Sequence, residues 1–263
     1  MIPIILQTYN RISYTMQVIA SIHNHILHQY SLIVIDNAST DGTVEYLQLM
    51  KKLNIIQHLI LNTENLGIAE PKNQGLDIVR ELSKTQEIKY VCLTDNDIVV
   101  PFIRDNNECV LEKIVQMMDS HTEVGMCGVD LTKDNAPPYQ DWWWKLRQHS
   151  QSNPTFAEIS IGFWFSVIRF DYFKDFRFTG ESLYGRTDES IRNYITSVKK
   201  SKIGLLKGIS LKDQKGNHKE TIPKVGVHLG WVEDFKKFPE YVNFKKLERC
   251  KAEAAWKEKN RKW

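Results

Sequence analysis

Over its first hundred residues the chain alternates short aliphatic and β-branched runs with longer segments of helical spacing, and this alternation restricts the fold more than any other feature. Residues 2–6 (Ile-Pro-Ile-Ile-Leu) and 31–35 (Ser-Leu-Ile-Val-Ile) are strand-length apolar runs, and the interval 11–28 between them has the length of a helix. Turn residues at 37–42 precede a second helical segment at 43–52, with Val44, Leu47 and Leu49 facing inward. A strand is predicted at 55–61, a helix at 68–82 with Pro71 in its first turn, and a buried strand at 90–93 that ends on Thr94-Asp95-Asn96-Asp97. Strands joined by helices pair in parallel, so a mostly parallel central sheet flanked by helices is expected. Sheets of this kind bind ligands at the carboxyl ends of their strands, where Thr8, Asp36 and Asp95 fall.

The alternation weakens beyond a helix at 106–120 and a strand at 125–129. Residues 130–154 are polar and proline-bearing and include Trp142-Trp143-Trp144; a long strand at 158–170, a helix at 188–198 and a strand at 203–206 follow. No internal repeat marks a second domain, and 263 residues suffice for one large core. The expectation is a single α/β domain over 1–243, with 102–243 a mixed completion of 1–101. Residues 244–263 carry eight Lys or Arg against three Glu, so the formal excess of +3 resides in this tail and the body is slightly acidic. Phe244, Leu247, Cys250, Ala254 and Ala255 recur there at helical spacing, so the tail reads as a basic amphipathic helix. It either lies on anionic lipid or packs on the domain.

Several classes are argued against. The start carries no basic leader, and no apolar run approaches the roughly 20 residues needed to cross a bilayer. The longest candidate, 159–170, contains Ser166 and Arg169. The four cysteines form no C-x-x-C pair, which fits small core residues in a reducing cytoplasm better than a zinc cage or a redox dithiol. A cytoplasmic protein, with membrane contact at most peripheral, is the expectation. A nucleic-acid partner would call for a basic stripe that the body lacks.

Asp95 and Asp97 lie one residue apart just past a strand end. Two carboxylates this close repel unless a cation lies between them, and a hard Mn²⁺ or Mg²⁺ satisfies them with oxygen ligands. An isolated D-x-D is equally a solvated turn; its order within a series gives it meaning. Thr8-Tyr9-Asn10-Arg11 follows the first strand, Asp36-Asn37-Ala38-Ser39-Thr40-Asp41-Gly42-Thr43 follows the second, and Asn65-Leu66-Gly67 with Ala69, Asn73 and Gly75 opens the third helix.

With these four segments in this order, the sequence resembles the family 2 glycosyltransferases of the GT-A (Rossmann-like) fold, strongly over residues 3–101 and weakly beyond. The resemblance implies an inverting transferase that moves a sugar from a nucleotide-diphosphate sugar, a UDP-sugar above all, to an acceptor hydroxyl of a glycan. Thr8, Tyr9, Asn10, Arg11, Asp36, Asn65, Gly67, Lys72, Asn73, Asp95 and Asn96 would hold the donor, with Asp36 accepting from a pyrimidine N–H. Asp95 and Asp97, joined by the late His228, would hold the metal, and residues 1–101 would form the donor-binding half.

Other readings stand beside some of these. Asp36–Thr43 can simply be a helix entry capped by Ser39, Thr40 or Asp41, and Lys72 can be an exposed helix lysine. The acceptor half, 102–243, would supply a general base. The family's Glu-Asp pair is replaced by Thr187-Asp188-Glu189, so alignment on the aspartate points to Asp188, with Glu189 as alternate, although either can merely support a helix start. Trp142, Trp143 and Trp144 are candidates to stack on an acceptor sugar. Two other functions compete. A sugar-phosphate nucleotidyltransferase would need a Gly-rich phosphate loop where Thr8-Tyr9-Asn10-Arg11 stands, and a non-catalytic binding module would keep the fold without turnover.

Overall fold

β1 (Ile2–Thr8) and β2 (Tyr30–Asp36) are buried on both faces, as their uninterrupted apolar sequences require of parallel strands. The structure, a computed structural model, describes residues 1–100, 109–129, 155–158, 161–163, 165–179, 187–206 and 227–228. Trp142, Trp143 and Trp144, the neighbouring Asp141 and Arg147, and the basic segment 244–263 lie outside the described residues.

The remaining strands are β3 (His58–Leu61), β4 (Tyr90–Asp95), β5 (Ile98–Val99), β6 (Val124–Gly128), β7 (Phe156–Glu158), β8 (Ser166–Arg169), β9 (Lys202–Leu206) and β10 (Val227–His228). The helices are α1 (Ile12–His25), α2 (Thr43–Lys52), α3 (Ala69–Leu82), α4 (Val110–Ser120) and α5 (Thr187–Asn193). Among the described residues one sheet runs in the order β3-β2-β1-β4-β8-β6-β9-β7, and β5 pairs with β10 in a separate ribbon.

β3, β2, β1 and β4 are mutually parallel. β8 then enters antiparallel between β4 and β6, and β7 closes the far edge antiparallel to β9. The sheet is therefore mixed, with its parallel half at the N-terminal end. Alternate residues of β1 and β2 feed two cores. Ile4, Leu6, Leu32 and Val34 pack with Val18, Ile19 and Ile22 of α1 and Ile114 of α4 on one face. Ile5, Ile33 and Ile35 pack with Leu76 and Val79 of α3 and Ile191 of α5 on the other. Each fully buried aliphatic side chain contributes on the order of 1.5–3 kcal/mol.

Four expectations from the sequence need correction. The single strand at 158–170 is two strands on different neighbours, β7 at the edge and β8 in the interior. Phe165 takes a left-handed backbone (φ 55°), and the Ser166 hydroxyl donates to Gly162 O at 2.7 Å, so the chain turns where the apolar run continues. The run records burial, not extension. β3 begins at His58 rather than 55 because Asn54 is left-handed (φ 58°) and Ile55 N–H donates back to Met50 O. Leu49 faces outward on α2, 51% exposed. The residue capping α2 is Gly42 (φ 90°), not Ser39, Thr40 or Asp41.

Asp41 nonetheless holds that corner. Its Oδ1 accepts from Thr43 N–H and from the Thr43 hydroxyl, and its Oδ2 accepts from Ile12 N–H at 2.9 Å, so one carboxylate steadies the starts of α1 and α2. Cys92, Cys109 and Cys127 are buried free thiols, and no helix among the described residues is long and apolar enough to cross a membrane.

Gly75 is where α3 crosses β1 and β2 most closely: a Cβ there would come within 2.6 Å of Ile5 Cγ2 and 3.0 Å of Ile35 Cδ1. Gly75→Ala is predicted to cost about 1–3 kcal/mol in urea unfolding, and wild-type stability would show that this crossing is not tightly packed.

Candidate functional site

The parallel register aligns the carboxyl ends of three strands. Thr8 lies opposite Asp36, and Gln7 lies opposite Asp95. Beyond β1 the chain turns through two left-handed residues, Asn10 (φ 54°) and Arg11 (φ 62°), before α1 begins. The turn is laced to its neighbours by short polar side chains. Asn10 N–H donates to Ser39 Oγ at 2.7 Å, and Asn10 Oδ1 accepts from Thr40 N–H at 2.8 Å. The Thr8 hydroxyl meets that of Thr15 at 2.9 Å, and Asn96 Nδ2 reaches both hydroxyls at 3.3 Å. Tyr9 stands out at the mouth, 41% exposed.

Asp36 is fully buried, its Oδ2 accepting from Ser39 N–H at 2.8 Å and its Oδ1 from the Ser39 hydroxyl at 2.6 Å. Beside it Asn37 organises the third loop. Its Nδ2 donates to Asn65 Oδ1 and Gly67 O, and its Oδ1 accepts from Leu66 N–H and Asn62 Nδ2. Asn65 Oδ1 also accepts from Gly67 N–H at 2.9 Å, and Gly67 has φ 79°, which favours glycine. In this structure Asn65 and Gly67 shape the loop behind the strand ends.

At the end of β4, Asp95 and Asp97 each face a cation. Arg11 Nη1 lies 3.1 Å from Asp97 Oδ2, and Lys72 Nζ lies 3.9 Å from Asp95 Oδ1. Lys72 is not an exposed helix lysine: it is 5% exposed, donates to Gln7 Oε1 at 2.9 Å, and lies 5.2 Å from the centre of the Phe163 ring. Gln7 in turn donates to Gly67 O at 3.1 Å. Burial pushes the Lys72 ammonium below the ordinary lysine range, and Asp95 and Asp188 pull it back.

β10 sets the backbone of His228 opposite Ile98, the residue after Asp97. Among the described residues no three His, Cys, Asp or Glu side chains form a group that could hold a metal ion. Asp95 and Asp97 still suit a hard cation, for they offer carboxylate oxygens at one strand end and already draw a guanidinium and an ammonium as stand-in cations.

The second half reaches this edge through α3. Asn73, buried, bonds both polar atoms of its amide to the Phe178 backbone at 2.9 Å. Arg80 donates to Phe173 O and Phe176 O, and Asp77 pairs with Arg177. Asn73 thus clasps the segment that precedes α5. At the start of α5, Asp188 lies near enough to Lys72 to perturb it and takes Arg192 Nη1 at 2.8 Å one turn on. Glu189 is exposed and lines a separate groove with Glu158, Arg192, Lys200 and Lys202.

Residues 4–177, well over half of the chain, match the family model described as Glycosyl transferase family 2. The chain belongs to that family. An uncharacterized glycosyltransferase from Rickettsia bellii is 31% identical over 96 residues, covering 36% of this chain and 13% of that protein. A putative teichuronic acid biosynthesis glycosyltransferase, TuaG, from Bacillus subtilis is 27% identical over 97 residues, covering 37% and 36%. The chain therefore spans well under two thirds of the length of these relatives. Among solved structures, S. aureus TarS 1-349 superposes with TM-score 0.55 at 18% identity, over 78% of this chain and 57% of that one. The mannosyltransferase PcManGT from Pyrobaculum calidifontis, in complex with GDP-Man and Mn²⁺, gives 0.55 at 16% identity, over 81% and 58%. At such identities the likeness establishes the fold, which is GT-A.

In this family 2 chain the sequence assigns no task to Gln7, Asn37, Phe163 or Arg192. Gln7 was detectable as a polar residue inside an apolar strand, and Arg192 as the partner of Asp188 at i,i+4 spacing. Asn37 lies inside the motif that follows β2 but without an assigned task, and Phe163 gives no local signal, since the roles of both arise from contacts across the fold. Asn37→Ala would strand Leu66 N–H and Gly67 O, and is predicted to cost about 2 kcal/mol or more. Hydrogen exchange should speed up at the Leu66 and Gly67 amides first; acceleration spread evenly over the sheet would contradict the local role.

Proposed function

We propose that this family 2 chain is a metal-dependent inverting glycosyltransferase that moves a sugar from a nucleotide-diphosphate sugar to an acceptor hydroxyl in glycan or polysaccharide synthesis. The observation that carries this is the meeting, at one sheet edge, of three laced strand-end turns, two carboxylates with counter-cations, and a further carboxylate, Asp188, coupled to the same buried lysine. TarS has been solved with UDP and with UDP-GlcNAc, and PcManGT with GDP-Man and Mn²⁺, which supports a nucleotide-sugar donor and favours UDP here.

Each residue has a stated task. Tyr9 offers an aromatic face to the base at the mouth, and Asp36 fixes the turn against which base and ribose rest. Asn10, Asn65, Gly67 and Asn73 act by holding those walls in place. Asp95 and Asp97 would hold Mn²⁺ or Mg²⁺, with His228 as a further ligand, and a cation there would supply positive charge to the departing diphosphate. Asp188 accepts the proton of the acceptor hydroxyl, and Arg192 orients its carboxylate. Inversion needs one such base. Glu189 is the weaker choice because it lines the other groove. Trp142, Trp143 and Trp144 are proposed to stack on the acceptor.

The test is product release. Incubated with UDP-sugars and Mn²⁺, the protein should liberate UDP, with water or glycan as acceptor. Pyrophosphate formed from UTP and a sugar phosphate would instead mark a nucleotidyltransferase. Asp188→Asn should lower UDP release on the order of 10²–10⁴-fold with donor affinity retained, and undiminished turnover would remove Asp188 as the base.

A further inference from the structure

Arg11 and Lys72 serve the two carboxylates differently. Lys72 is nearly enclosed, held by Gln7 and set against Phe163. Arg11 is anchored only by its backbone: its carbonyl accepts from Tyr14 N–H and Thr15 N–H, while its side chain, 36% exposed, reaches Asp97, whose side chain is 8% exposed. The Tyr14 ring lies 5.9 Å from the guanidinium carbon and offers a second resting face.

A carboxylate so far removed from water is costly without a counter-charge, which Arg11 supplies. A divalent cation on the same oxygen would meet the guanidinium at short range, and two cations at one carboxylate oxygen repel. Resting on the proposed role of Asp95 and Asp97 as metal ligands, we infer that Arg11 is a displaceable resident cation that competes with the metal for Asp97 and so sets the affinity of this site for Mn²⁺ or Mg²⁺. Arg11 leaves as the metal enters, its backbone fixed and its side chain swinging toward Tyr14 and the mouth. Without metal it neutralises Asp97, as Lys72 does Asp95.

The experiment is Mn²⁺ titration of the full chain by calorimetry without donor, comparing wild type with Arg11→Gln and each with Asp97→Asn added. Arg11→Gln should bind Mn²⁺ about two- to fivefold more tightly, the worth of a partly exposed ion pair, and Asp97→Asn should abolish that gain. Equal or weaker binding by Arg11→Gln, with wild type binding normally, overturns the competition and leaves the metal reading standing. Absence of binding in every protein overturns both. Should Arg11→Gln fail to fold, the wild-type Arg11 side-chain ¹⁵Nε resonance gives an independent answer. It should shift in proportion to bound Mg²⁺, and a resonance unmoved while Mg²⁺ binds overturns the inference.

Discussion

β1 is hydrogen-bonded on both sides, to β2 with Thr8 opposite Asp36 and to β4 with Gln7 opposite Asp95, and every part of the site depends on that double register. A slip of one residue would send Ile4 and Leu6 to the α3 face and Ile5 to the α1 face. Both faces are fully packed, so the slip is opposed by two cores at once. The register therefore delivers three polar turns to one edge with little freedom, and their mutual hydrogen bonds, Asn10 to Ser39, Asn96 to Thr8 and Asn37 to Asn65, lock them into a shared surface.

Electrostatics follows from that geometry. Two carboxylates one residue apart at the end of β4 would destabilise the edge, and the fold answers with cations from elements that start just there: Arg11 at the entry to α1 and Lys72 in the first turn of α3. Lys72 also senses Asp188, which sits on the far side of the molecule in sequence. Asn73, the next residue, holds the half proposed to bind donor to the segment before α5 through Phe178.

The parallel half of the fold was readable because local pattern and global role coincide there: β-branched runs form β1, β2 and β4, and turn residues follow at once. The mixed half was not. The run 158–170 is apolar throughout, but hydropathy cannot distinguish one buried strand from two with a left-handed Phe165 between them. Of the site, the strand-end motifs were legible in their order, and His228, expected as a metal ligand, has its backbone paired with Ile98 just past Asp97. The partners were less visible. Arg11 and Asp97 are 86 residues apart, and Lys72 and Gln7 are 65 apart, so only the fold reveals that they meet. Asn65 and Asn73 matched donor-binding positions by motif, whereas their polar atoms engage the chain's own backbone and side chains.

The central claim is that the joined ends of β1, β2 and β4 form a single donor site. Hydrogen–deuterium exchange of the full chain with and without a UDP-sugar and Mn²⁺ tests it most directly, because bound ligand slows exchange where it orders backbone. The account predicts joint protection of residues 8–11, 36–39 and 95–97, with β3 and α2 beyond Thr43 little changed. Protection of one of these turns without the others, or protection centred on the Glu158–Lys202 groove instead, would contradict it.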